Sequence, residues 1–429
     1  MSTPAPKAPR IAIACGGTGG HLFPGLAVAT RLVERGCSVT LLVSPKEVDR
    51  EAVREVTNME IVTLPAVGLN RGGEFAFVRG FSRSYRAARK LFKSNPPQAA
   101  LAMGGFPSAA PVLAARRCKA QTFLHESNSI PGRANRWLSW MVNQAFIGFP
   151  SAAGRLRTRN VTITGTPVRP EFHAADAAAC RTALGLDPER PVLLVMGGSQ
   201  GANGINELVA RSLPLIAARA PSLQWVHLTG ANDAAKLSKA YADLNLQAVV
   251  HPFFHRMELA LGAATVSISR AGASSLAEIA AMRLPSVLIP YPAATDNHQF
   301  HNARAMEASG AARLLEQKSA TPETLADILW DLIEKPAVRE KMEHALVQWH
   351  APAAAERIAE AMLQAVGFPA SKSGDAAVPE IKPADLPSGA GENAGRQSGL
   401  HHDRRRELAN PPGVYRHKPD LKTERRVAA

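Results

Sequence analysis

Residues 193–202 read LLVMGGSQGA. A short apolar run breaks into a glycine pair, and an apolar-periodic stretch, NGINELVARSLPLI (203–216), follows. That is a strand, a tight turn and a helix in one line. The same unit stands at 11–20 as IAIACGGTGG and at 100–109 as ALAMGGFPSA. Its return in the second half predicts two similar domains with a boundary near 165–190. Further short apolar runs lie between the units. They are VTLLV (39–43), EIVTL (60–64), TFLH (122–125), QAFIGF (144–149) and VTITG (161–165), then LQWVHLTG (223–230), AVVHPFF (248–254), TVSIS (265–269) and PSVLIP (285–290). Continuous apolar strands alternating with helical text predict buried parallel sheets. The expected fold class is α/β, with two doubly wound Rossmann-like domains facing a cleft. Ligands of such sheets bind beyond the carboxyl ends of the strands.

The expected divisions are a first domain at 1–170, a second at 171–345, and a helix at 346–369 that returns to the first domain. From 370 to 429 the text turns to Pro, Gly, Ser and mixed charge, which predicts a disordered tail. A chain of 429 residues with 46% apolar content can bury two cores. Cys15, Cys37, Cys118 and Cys180 form no CxxC pair, so reduced thiols in a cytosolic protein are expected. The opening MSTPAPKAPR lacks the apolar run of a signal peptide, and no stretch nears the ~18 apolar residues of a membrane span. The net charge of +14 belongs to the first half, where residues 1–170 hold 23 basic and 8 acidic residues. Such a surface attracts nucleic acid, anionic lipid or an acidic substrate.

The loop CGGTGGH (15–21) fails the dinucleotide fingerprint, because Leu22 stands where the third glycine belongs. It fails the P-loop pattern too, since no GK[ST] follows. It still lets backbone N–H groups approach an anion. In GGSQGAN (197–203), Ser199 either hydrogen-bonds a phosphate at a helix start or simply caps the helix. In 269–303, Gly272, Ser274 and Ser275 open an apolar helix carrying Glu278, either a ribose or sugar contact or a solvent-facing side chain. HESNSIPG (125–132) offers His125, Glu126 and Asn128 for sugar hydroxyls, with plain turn chemistry as the alternative. No His, Cys, Asp or Glu set has metal-ligand spacing, and no GxSxG element is present.

GGTGGHLFPGLAVA, GGFPSAAPVLAA, HESNSIPGRANRWLS, TGTPVRPEF, MGGSQGANGIN and SRAGASSLAEIAA…LPSVLIPYP…TDNHQ follow one another in this order. Together they resemble the bacterial UDP-N-acetylglucosamine:N-acetylmuramyl-(pentapeptide)-pyrophosphoryl-undecaprenol N-acetylglucosaminyltransferases, over about 10–367. The resemblance implies the two-domain GT-B architecture and an inverting transfer that makes lipid II for peptidoglycan. It implies a peripheral enzyme on the cytoplasmic face of the inner membrane, with no cofactor, no metal and no nucleic acid. UDP-GlcNAc is the implied donor, undecaprenyl-linked lipid I the acceptor, and other cell-wall synthesis proteins are implied partners.

The resemblance also assigns roles. Thr18, Gly19 and Gly20 border the donor diphosphate and sugar. Asn128 contacts the donor sugar or the acceptor. Arg169 faces the diphosphate and Ser199 hydrogen-bonds it. Ala273, Ser274, Ser275, Leu276, Ala277 and Glu278 line the nucleotide, with Glu278 on the ribose hydroxyls. Gln299 reaches the GlcNAc hydroxyls. Phe254 replaces the family's aliphatic residue at a position whose backbone meets the uracil. The attacking hydroxyl needs a base. His21 is the first choice and Glu126 the second, as base or as acceptor-orienting group. In 73–93, Phe75, Phe77, Val78 and Phe81 interleave with Arg79, Arg83, Arg86, Arg89 and Lys90, and Trp137 and Trp140 follow. Docking on anionic lipid is expected there, with an ordinary amphipathic helix as the alternative. Two rival readings share the fold, namely a UDP-sugar 2-epimerase or other glycosyltransferase, and a non-catalytic UDP-sugar-binding scaffold.

Overall fold

The computed structural model describes residues 8–368, apart from 55, 66–72 and 199–201. The side chains of Val48, Glu74 and Phe75 are also outside that description. Ser199, the Phe75 side chain and the tail at 370–429 therefore lie outside the described residues.

The first sheet holds β1 (Arg10–Ala14), β2 (Ser38–Val43), β3 (Glu60–Thr63), β4 (Ala99–Ala102), β5 (Gln121–Glu126), β6 (Gln144–Ile147) and β7 (Val161–Ile163). Its helices are α1 (Gly19–Glu34), α2 (Glu47–Ala52), α3 (Gly73–Ser94), α4 (Phe106–Arg117) and α5 (Arg133–Leu138). After α6 (Ala177–Ala183) the second sheet takes β8 (Val192–Met196), β9 (Gln224–Leu228), β10 (Ala248–His251), β11 (Val266–Ser269), β12 (Ser286–Leu288) and β13 (Arg313–Leu314). Its helices are α7 (Asn203–Arg219), α8 (Ala234–Asp243), α9 (Met257–Ala263), α10 (Ala273–Ala281) and α11 (His298–Ala308). Then come α12 (Pro322–Glu334), α13 (Pro336–Leu346) and α14 (Ala354–Ala365).

Every strand pair is parallel. The strand orders are β3-β2-β1-β4-β5-β6-β7 and β10-β9-β8-β11-β12-β13. Each order reverses beside its first strand, between β1 and β4 and between β8 and β11. A doubly wound sheet opens its ligand crevice at such a point. The repeated Gly units stand there, after β1, β4 and β8.

The strands are apolar because both faces are covered. In β1, Ile11 and Ile13 point to one core with Leu22, Leu32 and Leu41. Ala12 and Ala14 point to the other, with Ala88, Phe92 and Val112 of α3 and α4. The chain's last described helix, α14, joins the first of these cores through Ala355, Ile358, Ala359, Met362 and Leu363. Arg35, at the end of α1, pairs with Glu356 and, at 3.0 Å, with Glu360. The crossing back is tight. Gly165 has φ +79°, and a Cβ there would stand 2.2 Å from Ala351 Cβ.

Two local details differ from the sequence reading. β13 is only two residues long, too short to leave a periodic signal. Helix α1 begins at Gly19, inside the glycine-rich stretch CGGTGGH, so His21 belongs to the first turn of the helix. Local pattern finds apolar periodicity, and a glycine-rich first turn has none.

Candidate active site

The first crevice is built around His21. The turn after β4 carries Gly104 (φ +115°) and Gly105 (φ +73°). A Cβ on Gly104 would stand 2.7 Å from His21 Cε1, and one on Gly105 3.3 Å from Cδ2. The glycine pair of ALAMGG thus makes room for the imidazole of CGGTGGH, and two distant motifs become one structure. His21 Nδ1 is buried and has no hydrogen-bond partner among the described residues. Burial pushes the imidazole pKa down, while the Glu126 carboxylate, the Met103 backbone and Asp49 pull it up and His298 opposes them. An imidazole whose pKa burial lowers is suited to accept a proton.

Glu126 is differently placed. It is 2% exposed at the end of β5. Oε1 accepts from Asn128 N–H (2.9 Å) and Asn128 Nδ2 (3.1 Å). Oε2 accepts from Gly132 N–H (3.0 Å) and Asn135 Nδ2 (2.9 Å). With four donors on it, the carboxylate organises the 126–132 loop. His125 does not supply charge. Its Nε2 meets the Gly165 carbonyl at 3.0 Å and its Nδ1 the Ser127 hydroxyl at 3.2 Å. Burial lowers its pKa to about 4, so it is a neutral tie between β5 and the 164–166 turn.

Across the crevice lies the start of α10, whose N-cap is Gly272. Pro24 sits inside α1 and has no N–H to give to the carbonyl four residues back, that of Gly20. Ser274 Oγ donates to this freed carbonyl at 2.8 Å. The proline therefore leaves an acceptor on one Gly loop that the other lobe's serine fills. Asn128 is held the same way. Its Oδ1 accepts from Asn302 Nδ2 at 3.0 Å. Asn302, fully buried in α11, also donates to the Ala271 carbonyl and accepts from Ser129 N–H at 2.9 Å. Asp296 accepts from Arg136 at 2.5 Å and lies 4.0 Å from Arg133, both on α5.

Arg169 lies on the segment between the sheets. Its guanidinium stacks 4.4 Å from the Phe23 ring centroid and 4.9 Å from that of Phe172, and pairs with Glu171 at 3.0 Å. Its Nε is buried and has no partner among the described residues, a donor left over for an anion. Glu278, on α10, is raised to about pKa 7, chiefly by burial, with Arg169 lowering and Glu171 raising it. Gln299 Oε1 accepts from Tyr291 N–H (2.9 Å) and Ala271 N–H (3.3 Å), which fixes its amide orientation. Phe254 is partly buried, stacked 5.2 Å from His251 after β10. Thr18, in extended conformation, precedes Gly19 and Gly20 at the start of α1 without a side-chain cap bond. Ala273, Ser275, Leu276 and Ala277 form the first turns of α10.

Sequence reasoning missed Asn302, Asn135 and Arg270. Asn302 stands three residues after Gln299 on one helix, close enough in spacing to have been paired with it. Arg270 donates to the Ile289 and Pro290 carbonyls (3.0 and 3.2 Å) and holds the β12 exit, a role with no local signal.

The two halves of this crevice match known domains. The glycosyltransferase family 28 N-terminal domain matches residues 11–147, and the C-terminal domain of the same family matches 192–360. The chain belongs to glycosyltransferase family 28. It is 37% identical over 404 residues to the UDP-N-acetylglucosamine–N-acetylmuramyl-(pentapeptide) pyrophosphoryl-undecaprenol N-acetylglucosamine transferase of Sorangium cellulosum, covering 89% of this chain and 98% of that one. The crystal structure of Acinetobacter baumannii MurG superposes with a TM-score of 0.65 at 26% identity, over 83% of this chain and 99% of that one. A putative UDP-N-acetylglucosamine 2-epimerase from Listeria monocytogenes reaches a TM-score of 0.63 at 16% identity, over 85% of this chain and 98% of that one. That last likeness is one of fold alone. The family 28 assignment makes this chain a glycosyltransferase.

Proposed function

We propose that this crevice moves N-acetylglucosamine from UDP-GlcNAc to the 4-hydroxyl of MurNAc in the pyrophosphoryl-undecaprenol-linked pentapeptide acceptor, giving lipid II. The observation that carries the reading is His21, seated on Gly104–Gly105 at the first switch point. The acceptor hydroxyl gives its proton to His21 as its oxygen bonds C1 of GlcNAc from the face opposite UDP. The C1–O bond to UDP breaks, and the electron pair leaves on the β-phosphate oxygen. The starts of α7 and α10, the Arg169 guanidinium and Ser199 stabilise that charge. Glu278 accepts from the ribose hydroxyls and Gln299 gives its Nε2 to the sugar. Asn128 meets the sugar or the acceptor, Thr18 to Gly20 let the diphosphate approach, and the Phe254 backbone meets uracil. Glu126 then serves as the organiser of the acceptor loop. The first domain, 1–170, takes the acceptor, and the second, 171–345, the donor.

The lipid-linked acceptor requires a membrane surface. Among the described residues no helix is long and apolar enough to cross one. α3 supports a peripheral mode at the cytoplasmic face of the inner membrane. Phe77, Phe81, Phe106 and Trp137 form one aromatic cluster, beside exposed Val78 and Trp140. Arg79, Arg83, Arg86, Arg89 and Lys90 are exposed around it.

Purified protein given labelled UDP-GlcNAc and a lipid I analogue is expected to form a disaccharide-linked product. UDP release that needs no acceptor, or conversion of UDP-GlcNAc to its 2-epimer, would overturn the reading.

A further inference from the structure

The glycine loop after β1 rests on a neighbour that carries charge. Gly17 has φ +111°, a conformation glycine alone adopts without strain. Its N–H donates to Asp49 Oδ2 at 2.6 Å, and its carbonyl accepts from Lys46 Nζ at 2.5 Å. The same Asp49 oxygen accepts from Ser44 N–H (3.1 Å) and Ser44 Oγ (2.5 Å). A Cβ on Gly16 would stand 2.3 Å from Ser44 N and 2.9 Å from Asp49 Oδ2. The loop therefore lies flat on the turn between β2 and α2, and both polar groups that Gly17 contributes are clasped from below. Asp49 is fully buried, and its Oδ1 has no partner among the described residues. Such a carboxylate oxygen is costly, and a pure loop tie would do better with a neutral, fully paired side chain.

We propose that Asp49 is a positioning residue for glycosyl transfer. With Lys46 it sets the loop from which Thr18, Gly19, Gly20 and His21 project, and its negative charge stabilises His21 while the imidazole holds the acceptor's proton. The proposal rests on His21 acting as base. The charged and titratable groups around that imidazole are Glu126, His298, His125 and Asp49 itself. Glu126 raises the imidazole pKa more than Asp49 does, but Glu126 is held by its own loop, whereas Asp49 also clasps the loop that carries His21.

Asp49→Asn keeps the shape and removes the charge. In the full chain, kcat is expected to fall about 10- to 100-fold, the scale of a small misplacement at a reacting centre. The acid limb of the kcat/KM profile is expected to move to lower pH, because loss of a negative neighbour lowers the imidazole pKa. A folded Asp49→Asn enzyme with that limb unmoved overturns the proposal. Should Asp49→Asn fail to fold, Lys46→Met releases only the Gly17 carbonyl. It is expected to lower kcat about 3- to 10-fold, and native kcat there overturns the clasp. His21→Ala separates the two readings. Native turnover in His21→Ala strikes the base itself, whereas an inactive His21→Ala beside an unmoved Asp49→Asn limb strikes Asp49 alone.

Discussion

A methyl group at Gly104 meets two penalties at once. The φ of +115° is unfavourable for any L side chain, and the new Cβ would lie 2.7 Å from the His21 ring. The ring cannot retreat freely, because its helix is anchored by Leu22, fully buried in the first core. Gly104→Ala is therefore expected to cost about 1–3 kcal/mol of stability, by thermal or urea unfolding, and to lower kcat by displacing the imidazole. Gly36, also at positive φ but with nothing near its missing Cβ, is the control. Gly36→Ala should lower stability by backbone strain and leave kcat untouched. Equal loss of kcat in both variants would mean that His21 is not what Gly104 protects. Sequence alone showed CGGTGGH as a loop that lets an anion approach and the ALAMGG pair as a tight turn. It could not show that one pair accommodates the side chain that follows the other.

At the scale of the element, α3 unites the features that a surface helix needs for a membrane. Its apolar side is tied into the fold through Phe92 and Ala88, deep in the first domain. Its other end presents Val78 at 63% exposure among exposed arginines. Each cation near an anionic surface contributes about 1 kcal/mol. Arg79→Glu, Arg83→Glu and Arg86→Glu together are expected to abolish flotation with anionic vesicles while transfer to a detergent-dispersed acceptor persists. Unchanged flotation would leave α3 an ordinary amphipathic helix. The interleaving of aromatic and basic residues was legible in the sequence. The clustering of Phe77, Phe81 and Trp137 was not, since Trp137 comes from α5.

For the whole molecule, buried histidines set the pH response. His227 is buried between Tyr241 Oη (2.9 Å) and Asn206 Oδ1 (3.1 Å), and its pKa falls to about 3. His125 falls to about 4. Both stay neutral in the native state, while the unfolded chain protonates them near pH 6.5. The unfolded state thus binds more protons below that pH, and stability falls on acidification. Glu278, raised to about 7 from 4.5, acts in the opposite direction over the same window. His21 and His350 are lowered as well and add to the histidine side, so the histidines outweigh the one carboxyl and stability falls between roughly pH 6.5 and 4.5. The urea midpoint is expected to drop from pH 7 to pH 5. A midpoint that holds or rises would contradict this balance.

Apolar runs of four to six residues, broken by glycine pairs, were enough to specify two parallel α/β sheets, because a strand buried on both faces leaves a continuous apolar signature. The glycine loops located the crevice, since ligands bind where strand order reverses. Which side chains meet there was decided only in three dimensions. His21 against Gly104, Ser274 on the carbonyl that Pro24 leaves free, Asn302 holding Asn128 and Asp49 beneath Gly17 all join residues far apart in the chain. Local periodicity reports how one segment covers itself from water. It carries no record of which distant donor will fill a given acceptor, and that pairing separates Glu126, spent on its own loop, from His21, seated against Gly104.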